Sequence, residues 1–517
     1  MQTETIPLDE TDCFSQLFID YINQKPELTS FYSRFPSVEN FKPIIEERNF
    51  LNSHRDVLVK SLQRQYEGTT TTKLVSENIK SLAHEKTFTL TTGHQLNIFT
   101  GPLYFIYKIV TVINACKTLK QEYPDCHFVP VYWMASEDHD FDEINHFFFE
   151  GKKHQWNTDQ RGAVGRFELS GLQEILNQLP SGIDFFRDAY SLETLADAGR
   201  SYVNHLFGDE GVVVVDADDS ELKKLFLPVI EDDLFSHSAQ KASEKDTEGI
   251  QALGYKTQVS AREINFFYLD ENLRERIEKT EEGFQVVDTD LRFTDPEMKA
   301  LIQDHPEKFS PNVILRPLYQ ETILPNLAYV GGPSEAVYWL QLKSVFEHFN
   351  TPFPLLMPRN FALVISNNEA SKWAKTGLGN GDLFLSNDAA FSKWVKSNSS
   401  NELSFQGEQE QFASLYEALK EKAQKVDPTL SQHLEALKTI AGTKIEKAEK
   451  KLIRAEKRNH EEKKAQIDTV KDSLFPGGNL QERRDNFLNF YLKDSEFIQK
   501  LIGTFDGFNY QMYLLFE

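Results

Sequence analysis

Three stretches of this chain carry side chains whose types and spacing could do chemistry. The first is Thr91-Thr92-Gly93-His94-Gln95-Leu96-Asn97-Ile98-Phe99-Thr100-Gly101-Pro102. Glycine lets backbone approach a ligand closely, and an imidazole can donate to a phosphate. A helix opening after Gly101 would aim free N–H groups at the same place. Gly93, Gln95, Asn97, Thr100 and Gly101 are therefore candidates, with His94, for holding substrate or nucleotide. The competing reading is a strand-to-helix turn with a capping role. The second stretch is Glu137-Asp138-His139-Asp140-Phe141-Asp142-Glu143, in which five carboxylates flank one imidazole. So dense a cluster must meet a cation, a helix terminus or an ammonium group. Glu137, Asp138, His139 and Asp140 could bind an oxygen-loving metal, or could hold an ammonium group while one carboxylate acts as general base. They could equally form a solvated acidic loop capping the next helix. The third stretch holds Asn312, Arg316-Pro317 and Gln320, then Tyr329-Val330-Gly331-Gly332-Pro333-Ser334-Glu335. The planar fork of Arg316 suits a bidentate grip on a carboxylate or phosphate, or else a structural Arg–Glu pair. Gly331 and Gly332 make a tight turn or allow close ligand approach at a helix start. Asn312, Gln320 and Glu335 complete this set of binding candidates.

The elements that must position these groups follow from periodicity. The first ~85 residues read as helical, with apolar positions at helical spacing. TFTLTT, ending at Gly93, is a short β-branched and aromatic strand; LYFIYKIVTVINACKTLK is an apolar-periodic helix; HFVPVYWMA is a second strand ending in the acidic run. Strand, loop, helix, strand is the βαβ unit of a parallel sheet, whose ligands bind at strand carboxyl ends. Val212-Val213-Val214-Val215 reads as a buried parallel strand, and LAYV as another before Gly331. NHFFFE, GRFEL and NFFYLD read as short antiparallel strands inserted into this core. The expected division is a helical segment at 1–85, a Rossmann-like α/β core at 86–400 with insertions at about 150–205 and 238–300, a coiled coil at 401–475, and a segment at 476–517 packing on the core.

The coil is read from apolar intervals of three and four. One stripe is Phe412, Leu415, Leu419 and Ala423. After Pro428 a second runs Leu434, Leu437, Ala441, Ile445, Ala448, Leu452 and Ala455, then Ile467, Val470 and Leu474. Two helices around Pro428 predict an antiparallel hairpin. A narrow apolar stripe with nothing to cover it predicts a homodimer.

Composition narrows the function classes. Asp plus Glu total 79 against 56 Lys plus Arg, a formal charge of −23, so the net field repels polyanions and no nucleic-acid partner is expected. No uncharged apolar stretch reaches membrane-spanning length, and the N-terminus has no signal-peptide pattern. Three cysteines, Cys13, Cys116 and Cys126, give no CxxC pair and no disulfide framework. A cytoplasmic location is expected. A Walker A loop, GxGxxG, GxSxG and HExxH are all missing, so neither the common nucleotide cradles nor a serine or zinc hydrolase site is indicated.

TTGHQLNIFTGPLYFIYK, VPVYWMASEDHDFDEINH, FSPNVILRPLYQETILPNLAYVGGPSEAVYW and PGGNLQER, in this order from about Thr91 onward, resemble the characteristic blocks of the bacillithiol biosynthesis cysteine-adding enzymes. The resemblance implies a Rossmann-like core with inserted connecting segments and a helical coiled coil through which the family dimerises. It implies a ligase for the last step of bacillithiol synthesis, joining L-cysteine through an amide to the amino group of glucosaminyl malate. The core is similar to class I aminoacyl-tRNA synthetases, especially the cysteine enzyme. Thr91-Thr92-Gly93-His94 stands where those carry His-x-Gly-His, keeping the glycine and second histidine but not the first. No counterpart of their Lys-Met-Ser-Lys-Ser loop occurs.

Amide formation sets further requirements. The cysteine carboxylate must be activated, most simply as an acyl-adenylate or acyl-phosphate, which makes ATP with Mg2+ the expected co-substrate and needs no tightly bound metal. The attacking amine must be neutral, which calls for a base. The expectation places the nucleotide or activated carboxyl at Gly93, His94 and the Gly101 helix start. One of Glu137, Asp138 or Asp140 orients or deprotonates the amine, and Arg316 grips the malate carboxylates. Two rivals are a metal-dependent hydrolase using Glu137, Asp138 and His139, and a non-catalytic coiled-coil assembly protein.

Overall fold

A computed structural model describes all residues, Met1–Glu517. Its centre is a five-stranded, wholly parallel sheet of β1 (Thr87–Gln95), β2 (His127–Ala135), β3 (Val213–Asp216), β4 (Asn326–Gly331) and β5 (Leu355–Pro358). The spatial order is β3-β2-β1-β4-β5, a doubly wound arrangement whose strand order reverses between β1 and β4. Ligands of such sheets bind at that reversal, outside the strand carboxyl ends. The apolar runs of β2 and β3 are buried because helices cover both faces.

Helix α1 (Tyr104–Glu122) makes the β1-to-β2 crossover and is buried along most of its length, Lys108 included. The edge strand β3 is closed by side chains instead of another strand. Gln65 donates to the Asp216 carbonyl and accepts from the Asp216 N–H, and the Val214 N–H donates to the Tyr66 hydroxyl. Backbone groups that would template aggregation are thereby satisfied by the helix Asn52–Gln65 and its C-cap.

Between β3 and β4 lies an inserted antiparallel sheet, in the order Arg292–Phe293, Gly283–Val286, Leu273–Thr280, Phe266–Asp270, Phe309–Pro311. Between β2 and β3 sits the hairpin His146–Phe149/Lys152–Gln155 with its following helices. The expected strand at GRFEL is not formed. Val164–Arg166 is a helical turn there, and only Glu168 makes an isolated bridge, because Gly165 must lie against Ser136, where a Cβ would come within 2.5 Å.

The N-terminal region is not purely helical. Gln2–Pro7 is a strand, antiparallel to Gln511–Phe516, which in turn runs parallel to Phe361–Ile365. Its sequence QTETIP buries one side chain, Ile6, which leaves almost no periodic signal.

The coiled coil is an antiparallel pair, α4 (Gln406–Gln424) and α5 (Leu430–Lys457), continued after a helical turn at Arg458–His460 by α5's extension, α6 (Glu461–Leu474). Lys420 pairs with Glu435 and Lys438 with Glu417, both at 2.7 Å, which fixes the antiparallel register. Ile453, Ile467, Val470 and Leu474 are buried at the base, whereas Leu415, Leu419, Leu430, Leu437 and Ile440 stay exposed further out. No helix is long and apolar enough to cross a membrane.

The strand Gln511–Phe516 buries Leu514 and Leu515 completely. Leu514→Ala is expected to destabilise the core by about 3 kcal/mol, read as a lower urea midpoint with the helical signal of the coil followed separately.

Candidate active site

The carboxyl ends of β1, β2 and β4 open into a cleft of about 1010 Å³. Gly93, His94 and Gln95 from β1 line it, as do Glu137, Asp138, His139 and Asp140 after β2. Asn312, Arg316, Gly332 and Glu335 line it from the β4 side. The sequence candidates from three distant stretches thus meet at one place. Asn97, Thr100 and Gly101 do not line it. Asn97 donates to the Glu143 carbonyl at 3.1 Å, the backbone at Phe99 and Thr100 takes positive φ, and Asn486 donates to the Phe99 and Gly101 carbonyls. The expected ligand site at the Gly101 helix start is likewise closed, since the Leu103 N–H donates to the Asp485 carbonyl at 2.7 Å. These residues build the turn that follows His94. Gln320 and Gly331 also lie behind the wall rather than in it.

Arg316 opens helix α2 (Arg316–Ile323) and is held by its own helix: Nη1 donates to Gln320 Oε1 at 3.2 Å. Its guanidinium carbon lies within 5.7 Å of the ring centres of Trp133, Tyr329 and Trp339, an aromatic surround that fixes a cation without neutralising it. Nη2 is buried and has no partner. A structural Arg–Glu pair is therefore not what holds Arg316.

The glycine turn after β4 leads into helix α3 (Pro333–Trp339). The Gly332 N–H donates to Glu335 Oε2, which also meets Lys108 Nζ at 2.5 Å, while the Tyr329 hydroxyl donates to Oε1. This helix start is already capped, and Glu335 is spent on it. Burial opposes ionisation of Glu335, but Lys108 outweighs that and holds the carboxyl below its usual range. Lys108 also donates to the Gly93 carbonyl at 2.7 Å. A Cβ at Gly93 would lie 3.2 Å from the Tyr329 hydroxyl, so glycine is needed for this close strand approach.

His94 Nε2 is buried without a partner, its ring against Tyr104 and Phe105. Burial, reinforced by Lys108 and Arg359, lowers its pKa to about 3, so the imidazole is neutral at any physiological pH.

The acidic run separates into different roles. Glu137 pairs with Lys223, a fully buried ammonium on the helix Ser220–Lys224 that also donates to the Phe309 carbonyl at 2.6 Å. Burial raises the Glu137 carboxyl to about 7 even though Lys223 opposes this. Asp138 accepts from Gln95 at 3.0 Å and from Arg274 at 3.4 Å. Burial alone would raise its pKa, but the bond to His139 and the Arg274 charge hold it far below the usual carboxylate range. His139 Nδ1 accepts from Arg274 Nη1 at 2.6 Å. Glu137 turns to Lys223, whereas Asp138 and His139 are both held by Arg274, so the three do not converge as a metal donor set. That geometry counts against the hydrolase reading. Asp140 stays at the solvent-facing rim.

Sequence reasoning missed Lys108, Lys223, Arg274 and Arg359. Two of them lie in apolar surroundings that read as plain core: Lys108 in IYKIV and Arg359 in LLMPRNFALVI. For Lys108 and Arg359 a lone charge inside an apolar run was the available signal, whereas Lys223 stands beside Lys224 and near Glu221 and had none. Arg274, brought in by the inserted sheet, had none.

A family model described as the N-terminal Rossmann-like domain of bacillithiol biosynthesis BshC matches residues 1–360, and one described as the C-terminal coiled-coil domain of the same protein matches residues 362–517. A protein of Cytophaga hutchinsonii named "Putative cysteine ligase BshC" is 43% identical over 512 residues, covering 98% of each chain. One of the same name from Flavobacterium psychrophilum is 43% identical over 511 residues, covering 96% of each. A more distant one from Bacillus cereus is 28% identical, covering 90% of this chain and 91% of its own. The two domain matches cover nearly the whole chain and agree with the parallel sheet and helical hairpin described above: this protein belongs to the bacillithiol biosynthesis BshC family.

Proposed function

We propose that this protein is a cytoplasmic cysteine ligase that joins L-cysteine through an amide to the amino group of glucosaminyl malate, the last step of bacillithiol synthesis. The observation that carries the reading is a cleft with unpartnered buried nitrogens on one wall and ion-paired carboxylates on the other. Arg316 Nη2, a donor, and the imidazole nitrogen His94 Nε2 are buried without partners on the β1–β4 side, and carboxylates line the β2 side. Substrates that fit bear both carboxylates and an amine, as cysteine and an amino-sugar malate do.

Arg316, pre-oriented by Gln320 and its aromatic surround, grips the malate carboxylates. Asp138, kept ionised beside Arg274, orients the acceptor amine. Glu137 is the base: a carboxyl near 7 is poised to take the amine proton at neutral pH, with the Lys223 ammonium stabilising the charged form beforehand. Neutral His94 donates to the oxygen that gains charge as the amine attacks the cysteine carboxyl carbon. ATP with Mg2+ is the proposed source of carboxyl activation. The Lys108–Glu335 pair holds the glycine turn and takes no part in proton transfer. The apolar stripe left exposed on α4 and α5 supports a homodimer through the coiled coil.

The first test is mass spectrometry of purified protein with cysteine and glucosaminyl malate, with and without ATP and Mg2+. Product only with ATP is expected, and release of AMP or ADP identifies the activation route; product without ATP would rule out the nucleotide-dependent reading. The rate should rise with pH to a plateau above about 7, the deprotonated form of Glu137 being the active one. Glu137→Gln is expected to abolish this limb and lower kcat about 10²- to 10⁴-fold. Lys223→Met, which removes the group that lowers the Glu137 carboxyl, should move the limb to higher pH. His94→Ala is expected to cost kcat about 10²-fold with cysteine KM little changed.

A further inference from the structure

The matched coiled-coil domain model begins at residue 362, yet the chain beyond the hairpin returns to the cleft. After Leu474 the turn Pro476–Gly478 leads into Gln481-Glu482-Arg483, which is fastened along the strand Phe361–Ile365. Gln481 accepts from the Val364 N–H at 2.9 Å and donates back to its carbonyl at 3.1 Å. Glu482 is fully buried; one oxygen accepts from Arg359 Nη2 at 2.5 Å and the other from the Ala362 N–H at 3.2 Å.

Arg359 follows β5 and is only 2% exposed. Its guanidinium lies 5.2 Å from the Tyr104 ring centre and 4.5 Å from that of Phe361, and Nη1 donates to the Asn360 carbonyl. The remaining donor, Nε, is buried without a partner. It lies near the glycine turn, where a Cβ on Gly332 would stand 3.9 Å from it. Arg483, the residue after Glu482, lines the same cleft and is exposed, and its side chain makes no ion pair or hydrogen bond. The one carboxylate nearby on α3, Glu335, is neutralised by Lys108. A fixed guanidinium with an unmet donor and an exposed one lining the same cleft are the groups that an anion site requires.

We infer that the segment after the coiled coil completes the active cleft: Arg483 and Arg359, the latter positioned by Glu482, form a subsite for a multiply charged oxyanion of a substrate, distinct from the Arg316 donor. Two sources share this chemistry, the phosphates of the activating nucleotide and the carboxylates of the acceptor, and the inference rests on the ligase reading only in identifying them. Glu482 is a positioning residue here, acting through Arg359.

The test uses the full chain. Titration calorimetry with inorganic pyrophosphate and, separately, with L-malate is run on wild type, Arg483→Ala and Glu482→Gln. Arg483→Ala is expected to weaken one of the two anions about tenfold and to raise KM for the matching substrate by a similar factor, with kcat within about twofold. Glu482→Gln should act on the same anion, and Arg483→Lys should recover part of the loss, neither of which a merely structural role predicts. Loss confined to pyrophosphate and ATP assigns the subsite to the nucleotide; loss confined to malate and glucosaminyl malate assigns it to the acceptor. Wild type that binds neither anion, or variants that bind both and keep both KM values, would overturn the inference. Anion binding that depends on Arg483 in a protein without ligase activity would leave the subsite standing and remove the proposed reaction instead.

Discussion

A buried carboxylate, Glu321, is the constraint around which the cleft is organised. One of its oxygens accepts from Gln320 at 2.9 Å and from Asn326 at 2.6 Å. Asn326 in turn accepts from the hydroxyls of Thr89 and Thr91, while Gln320 accepts from Arg316. Arg48 reaches in at 4.0 Å and donates to the Glu321 and Leu324 carbonyls. The chain of contacts runs from β1 through β4 to the first turn of α2, entirely out of water. Buried networks of this kind are costly when broken, because each orphaned member keeps its desolvation penalty. It explains why β1 carries threonines where a parallel strand would ordinarily carry valine. It also accompanies the register shift between Asn326 and Ala328 against β1. Arg316 is aimed by the same network that sets the spacing of the two strands it stands between.

The second organising feature is that three acids at the cleft, Glu137, Asp138 and Glu335, are each paired with a cation drawn from a different layer. Lys223 for Glu137 comes from the helix after β3, Arg274 for Asp138 from the inserted antiparallel sheet, and Lys108 for Glu335 from α1. An acidic motif that would repel itself on one loop is stabilised by long-range partners, and one of them, Arg274, comes from the insertion. The insertion is thereby a part of the site and more than a decoration of the core. Among the buried atoms left without partners there are the donors Arg316 Nη2 and Arg359 Nε, which favour an oxyanion beside them in spite of the chain's net negative charge.

Much of this was legible in the sequence, for a physical reason. β1, β2, β3 and β4 are short, apolar or β-branched, and three of them end at glycine or in an acidic run, so the parallel sheet and the location of its carboxyl-end groups followed from local grammar. The coiled coil followed from its three-and-four spacing, including the break at Pro428 that became the hairpin turn between Gln424 and Leu430. The failures were non-local. Gln2–Pro7 owes its strand to a partner far away in the chain and buries only Ile6. GRFEL alternates like a strand but is bent by the contact of Gly165 with Ser136. Asn97, Thr100 and Gly101 belong to a motif that looks like a ligand loop and is instead held by Asn486, from the other end of the chain. Cations fixed by tertiary pairing leave little local trace.

The antiparallel pairing of Ile6 with Met512 has a consequence for how the polypeptide is made. During synthesis the strand Gln2–Pro7 emerges while its hydrogen-bonding partner Gln511–Phe516 is still untranslated, so its backbone donors and acceptors wait while all the residues between the two are made. A waiting edge is a site for pairing with other nascent chains. Here the risk is muted by composition: every residue of the strand except Ile6 faces water, with Thr3, Glu4 and Thr5 at its centre. The weak pattern that hid this strand is the property that keeps it from sticking before the ribosome delivers its partner.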